Sequence, residues 1–160
     1  MTYSISGLPL AEFAPLFGLD DAALAERGAR RVTADADRGF PCRVSLDDAR
    51  AGETLILLNH VSNPSDGPYR AQHAIYVREN AGEPAPFVDR TPPVFAGRTL
   101  SLRGFTAEGD LAGFKLASHE EHDRGIRDLF DNPRIDHIDA HNAAPGCFAA
   151  RIERYQGAAS

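Results

Sequence analysis

The sequence predicts an α+β fold: one compact domain with a largely antiparallel, curved β-sheet, a short N-terminal helix, and one helix before a C-terminal β-hairpin. Three observations lead there. Short segments alternate apolar and polar residues, which is the period of half-buried strands. Two helix start signals stand out, Leu19-Asp20-Asp21 and Ser118-His119-Glu120-Glu121. Most strand-like segments follow one another without the intervening helices that a doubly wound parallel sheet requires.

Tyr3 to Ser6 reads as a short strand. Asp20 then offers an N-cap for a brief helix through Ala22, Leu24 and Ala25 that Gly28 ends, and Ala29 to Ala34 returns as a strand. In Phe40 to Leu46, FPCRVSL, alternation puts Phe40, Cys42, Val44 and Leu46 on one face and Arg43 and Ser45 on the other, so Cys42 is expected in the core. Thr54 to His60 is apolar on both faces until Asn59 and His60, the mark of a central strand whose polar end emerges into the loop that carries Tyr69 and Arg70. Gln72 to Glu79 follows as a strand with His73, Ile75 and Val77 on one face, and a Pro-rich connection from Gly82 to Arg98 crosses the surface. Leu100 to Leu116 predicts a hairpin around Glu108-Gly109-Asp110. Ser118 to Glu121 matches a capping box, Ile126, Leu129 and Phe130 supply the buried stripe of the helix it starts, and Asn132-Pro133 closes that helix.

The 160 residues fit a single domain, 1–160, with its core at about 3–155, and neither a repeat nor a linker divides them. No apolar run approaches the ~20 residues that span a bilayer. A net charge of −6 supplies none of the basic field that nonspecific nucleic-acid or anionic-membrane binding needs, so neither partner is expected. Two cysteines cannot form a disulfide framework, and both are read as reduced thiols. MTYSISGLPL lacks a basic segment followed by an apolar core, so a cytoplasmic location is expected.

The richest segment chemically is Ile135 to Tyr155. With a turn over Asn142 to Gly146, one face collects Ile138, Ala140, Phe148, Ala150 and Ile152, and the other collects His137, Asp139, His141, Cys147, Arg151 and Glu153. Pairing His141 with Cys147 sets Asp139 opposite Ala149 and His137 opposite Arg151.

FPCRVSL (Phe40 to Leu46), GPYRAQHAIYVRE (Gly67 to Glu79) and HNAAPGCFAARIER (His141 to Arg154) resemble segments of the bacterial family known as domain of unknown function 1203. The resemblance runs from about Tyr3 to Tyr155. It implies a compact single domain of bacterial type and carries no activity, cofactor or catalytic residue with it.

A Cys–His pair makes a nucleophile when the imidazole sits against the thiol and an acid orients the imidazole, so Cys147, His141 and Asp139 are the candidate catalytic residues. The structural alternative has Cys147 filling a tight spot after Pro145-Gly146, with His141 bonded to loop backbone. Tyr69, Arg70, His73 and Arg151 are the candidate ligand contacts, since an arginine fork suits a carboxylate or phosphate. Arg43 and Arg151, each on a polar face, could line one cleft, although most arginines in a chain with 23 acidic residues pair with Asp or Glu. Zinc could take His137, Asp139 and His141 with His60 or His73, but alternate residues of one strand rarely supply three converging ligands, and no metal is assigned. His119 and His122 are one residue short of HExxH spacing and read as capping and surface positions. Phosphate-loop, dinucleotide, serine-hydrolase and dithiol motifs are absent, and no cofactor is expected. The residues point to a binding domain or small enzyme for a small anionic molecule. The alternative is a noncatalytic module that binds a protein through an exposed sheet edge, and the oligomeric state stays open.

Overall fold

The computed structural model describes residues 1–157. The expected α+β class holds, and its antiparallel strands are divided between two sheets. The larger has the order β5-β1-β9-β8-β6-β7: Phe87–Val88, Tyr3–Ser6, Phe148–Arg154, His137–Asn142, Leu100–Phe105 and Leu111–Ala117. The smaller has the order β2-β3-β4: Arg30–Thr33, Thr54–Asn63 and Ala71–Arg78. The described residues include three α-helices: α1 (Ala14–Phe17) and α2 (Asp21–Glu26) lie between β1 and β2, and α3 (His122–Phe130) lies between β7 and β8.

Local chemistry explains the helix ends. The Asp20 carboxylate accepts from the Ala23 N–H at 2.8 Å and starts α2, and Gly28 (φ 68°) turns the chain after it. At Ser118 the Glu121 carboxylate reaches back to the Ser118 N–H at 3.1 Å, a 3-10 turn forms over His119–Glu121, and α3 follows.

Alternation gives the larger sheet two unlike faces. Tyr3, Ile5, Leu100, Leu102, Ile138, Ala140, Ala150 and Ile152 pack under Ile126, Leu129 and Phe130 of α3 as the main core. Ser101, Arg103, Asp139, His141 and Arg151 take the opposite side by strand parity. That polar side meets the smaller sheet: the His73 and His141 rings lie 4.9 Å apart edge to face, His60 tilts on Phe148 at 5.6 Å, and Arg151 donates to the Ser62 carbonyl at 2.7 Å.

Three expectations are corrected. Phe40 to Leu46 is not a strand: it is a turn whose only bridges come from two adjacent residues near its start, Pro41 with Asp48 and Cys42 with Tyr76, and Leu46 has φ 54°. Its alternation has no ladder to match, and Cys42, Arg43, Val44 and Leu46 are all buried. Gly7 passes so close that a Cβ there would lie 1.9 Å from the Val44 carbonyl oxygen. In the last hairpin the register is Asp139 with Arg151, Ala140 with Ala150, and His141 with Phe148, with a shift between Ala140 and His141. A bulge at Ala149 therefore turns Phe148 away from Ala150 and toward His60 and His141, and Cys147 falls outside the ladder. His122 is no surface group: it is 2% exposed, and its Nε2 lies 2.8 Å from the Arg98 carbonyl.

Candidate functional site

A cavity of about 990 Å³ opens where the hairpin turn, the Gly39–Arg43 segment and the smaller sheet come together. Its apolar wall is Leu57, Ala74 and Tyr76, side chains that share one face of β3–β4, joined by Leu116 of β7. Its polar end is Arg43, Asn142 and Cys147. A shallower recess of about 600 Å³ beside Asp110, Asp136 and Arg154 holds neither cysteine nor histidine.

Arg43 is the least ordinary residue of this end. It is 2% exposed, and among the described residues no carboxylate pairs with it. Its Nε donates to the Phe148 carbonyl at 2.8 Å, Nη1 to the Pro41 carbonyl at 2.5 Å, and Nη2 to the Cys147 Sγ at 3.2 Å. A guanidinium carries five N–H donors, so one hydrogen on each Nη is left over. Burial pulls its pKa below the ordinary arginine value, and the nearby Cys147 sulfur works against that. Arg43 sits there because its backbone is clamped: its N–H donates to the Tyr76 carbonyl at 3.1 Å, and its carbonyl accepts from Leu8 N–H at 2.8 Å.

Cys147 is partly exposed and unbonded, and its Sγ also receives the Asn142 Nδ2 at 3.4 Å. Asn142 is 8% exposed, lines the cavity, and its Oδ1 is buried without a hydrogen-bond partner among the described residues. The turn that presents both is set by Asn142 N–H to the Cys147 carbonyl at 2.9 Å and Gly146 N–H to the Asn142 carbonyl at 2.8 Å, with Gly146 at φ 81°. Cys42, by contrast, is fully buried, and its sulfur accepts from the N–H groups of Arg78 and Ser45.

Of the seven candidate residues read from the sequence, Cys147 lines this cavity and the other six do not. His141 turns Nδ1 to the Gly146 carbonyl at 2.9 Å, so its ring is held by loop backbone. Asp139 is 1% exposed and takes both Nε (2.8 Å) and Nη2 (3.1 Å) of Arg151, so those two residues satisfy each other. His73 lies against His141, and its Nδ1 is buried without a partner among the described residues. Burial pushes His141 down to about 4, with Arg103 and His73 adding to the effect, and burial followed by Arg103 also lowers His73. Both imidazoles are therefore neutral at neutral pH. Tyr69 and Arg70 lie in the exposed loop after β3, where Arg70 donates to the Pro64 carbonyl at 2.9 Å. Among the described residues, no group of three His, Cys, Asp or Glu side chains is placed to hold a metal ion.

Sequence reasoning singled out Arg43 only as one arginine among several, and it did not pair it with Cys147, 104 positions away. Asn142 was read as turn residue alone. Its orphaned Oδ1 has no signature in a single sequence.

The fold and cavity define an α+β protein with two antiparallel sheets and a half-apolar pocket built around a buried arginine. The chain belongs to the family described as protein of unknown function DUF1203, which it matches over residues 39–154. That span contains every residue that lines the cavity. No curated protein and no solved structure significantly matches the chain.

Proposed function

We propose that this protein is a small-molecule-binding domain whose cavity takes an organic anion, with the charged group at Arg43 and the carbon skeleton along Leu57, Ala74, Tyr76 and Leu116. The observation that carries the reading is the buried guanidinium that opens onto a cavity and has no carboxylate partner among the described residues. An uncompensated buried charge is costly, and a ligand carboxylate accepting the two spare N–H hydrogens would offset that cost. Apolar walls with a few placed polar groups are the usual make-up of a small-molecule site. Among the described residues no helix is long and apolar enough to cross a membrane. Two unbonded thiols support a reducing compartment, and the cytoplasm of a bacterium is the location we infer.

Thermal melts test it. Hexanoate and phenylacetate should raise the melting temperature while the matching alcohols do not, by ~2.7 kcal/mol of stabilisation at 100 times Kd. Arg43→Met and Ala74→Trp should each abolish the effect; Ala74 is exposed on β4, so filling the cavity there leaves the fold intact. Absence of stabilisation by any anion, or equal stabilisation of wild type and both variants, rejects the reading.

One observation favours a second reading. β7 is an edge strand whose Phe114 (75% exposed) and Leu116 (68% exposed) share the face away from α3, an apolar strip beside unpaired backbone where a protein partner could add a strand. Concentration-independent mass in solution together with anion-dependent melts would count against it.

A further inference from the structure

We propose that the ligand is a dicarboxylate, with Arg43 holding one acid group and Arg103 the other across an apolar chain. The inference rests on the cavity being a small-molecule site with Arg43 at its polar end. Strand register brings Arg103 to that cavity. Leu116, which lines the cavity, pairs with Ser101, Ser101 with His141, and His141 with Phe148, so these four residues form one row across the polar face of the larger sheet. Arg103 leaves β6 one row farther on, on the same face, and its side chain folds back along the strand: Nε donates to the Ser101 Oγ at 3.2 Å. The part-buried guanidinium therefore returns to the row that meets the cavity at Leu116. Among the described residues that is its only hydrogen bond, and no carboxylate pairs with it. Asp139, the cross-strand neighbour of Arg103, gives both oxygens to Arg151.

Charge and spacing point to a dianion. Where the two sheets meet, the guanidinium groups of Arg43, Arg103 and Arg151 stand against one carboxylate, Asp139, although the chain as a whole carries a net charge of −6. Burial lowers the His73 pKa, Arg103 lowers it further, and Arg43 adds to that, so the fields of both unpaired guanidinium groups reach one ring. A ligand with two acid groups neutralises both, and an acid with one leaves Arg103 uncompensated. Arg43 Nε is bonded to the Phe148 carbonyl and Arg103 Nε to Ser101, and Phe148 and Ser101 lie two strands apart, which sets the guanidinium groups at least ~10 Å apart. An extended carbon chain advances ~1.25 Å per carbon, so about eight to ten carbons span that distance. Leu57, Ala74, Tyr76 and Leu116 supply the apolar wall for the methylenes between the acid groups.

Titration calorimetry of the full chain at pH 7 with octanoate, succinate, suberate and sebacate tests this. Suberate or sebacate should bind ~10-fold more tightly than octanoate, because a charge-assisted contact at Arg103 is added, and succinate, too short to reach both arginines, should gain nothing. Arg103→Met keeps the stem and removes the fork; it should leave octanoate within ~2-fold and reverse the order, because the second carboxylate is then desolvated without a partner. Arg103→Gln, which keeps a donor for Ser101, should also remove the dicarboxylate advantage. Octanoate binding with no advantage for suberate or sebacate, an advantage that survives in both Arg103 variants, or one equally large for succinate overturns the inference and leaves the organic-anion reading standing. Binding of neither class, or dicarboxylate binding untouched by Arg43→Met, rejects that reading and the inference with it.

Discussion

Removing either partner of the Asp139–Arg151 pair should destabilise the protein, and the two losses should be unequal. The Asp139 side chain is 1% exposed, whereas that of Arg151 is 33% exposed. Arg151→Met strands a carboxylate that cannot reach water, and breaking a buried pair from that side costs ~3–5 kcal/mol. It also removes the Nη2 bond to the Ser62 carbonyl that ties β9 to β3, worth ~1 kcal/mol. Arg103, the cross-strand neighbour of Asp139 on β6, remains nearby and holds the loss toward the lower end. Asp139→Asn keeps the shape and one acceptor, and it leaves an arginine whose side chain is already 33% exposed, so ~1–3 kcal/mol is expected. Urea unfolding at pH 7 with unchanged m-values reads both, and the double variant should lose less than the sum of the single losses. Asp139→Asn costing as much as Arg151→Met, or both costing under ~1 kcal/mol, would refute the argument from burial.

Ile152→Ala should cost ~2–5 kcal/mol, because the side chain is fully buried under α3, whereas exposed Glu153→Ala should stay within ~0.5 kcal/mol; similar denaturation midpoints would mean the β9 register is wrong. Gly7→Ala should lose ~2 kcal/mol or more, since the new Cβ would lie 1.9 Å from the Val44 carbonyl oxygen and backbone must move; an unchanged melting temperature would contradict that close approach. Acid should weaken the fold through His141. Burial holds it at about 4, so between that value and the unfolded ~6.5 the unfolded chain binds more protons, and stability present above ~6.5 falls as pH drops through this window. From pH 7 to pH 5 the loss from this residue is about 2 kcal/mol, and His60, His73 and His122, all lowered by burial, add to it in the same direction. His141→Asn, which keeps a donor for the Gly146 carbonyl, should shrink the difference between urea midpoints at the two pH values; an undiminished difference would clear His141 of the role.

Sequence by itself determined what depends on neighbours along the chain. Asp20 and the Ser118–Glu121 box marked the starts of α2 and of the turn that leads into α3, because capping bonds span three residues, and Gly109 (φ 89°) marked the β6–β7 turn. Alternation placed Ile138, Ala140, Ala150 and Ile152 on the core side and Asp139, His141 and Arg151 on the other, because side-chain direction in a strand is local. Tertiary structure decided what depends on partners. Phe40 to Leu46 alternates like a strand and is none, since a strand exists only when a ladder receives its N–H and C=O groups, and here Tyr76, Leu8 and Asp47 receive or supply them singly. The Ala149 bulge took His141 away from Cys147, a displacement of one residue that no periodicity records. Arg43 took the place beside the sulfur because the clamped loop from Pro41 to Leu46 brings it across 104 positions of chain. The side chains of the site were in plain view in the sequence, but their pairing was not, because a contact that distant leaves no local spacing to read.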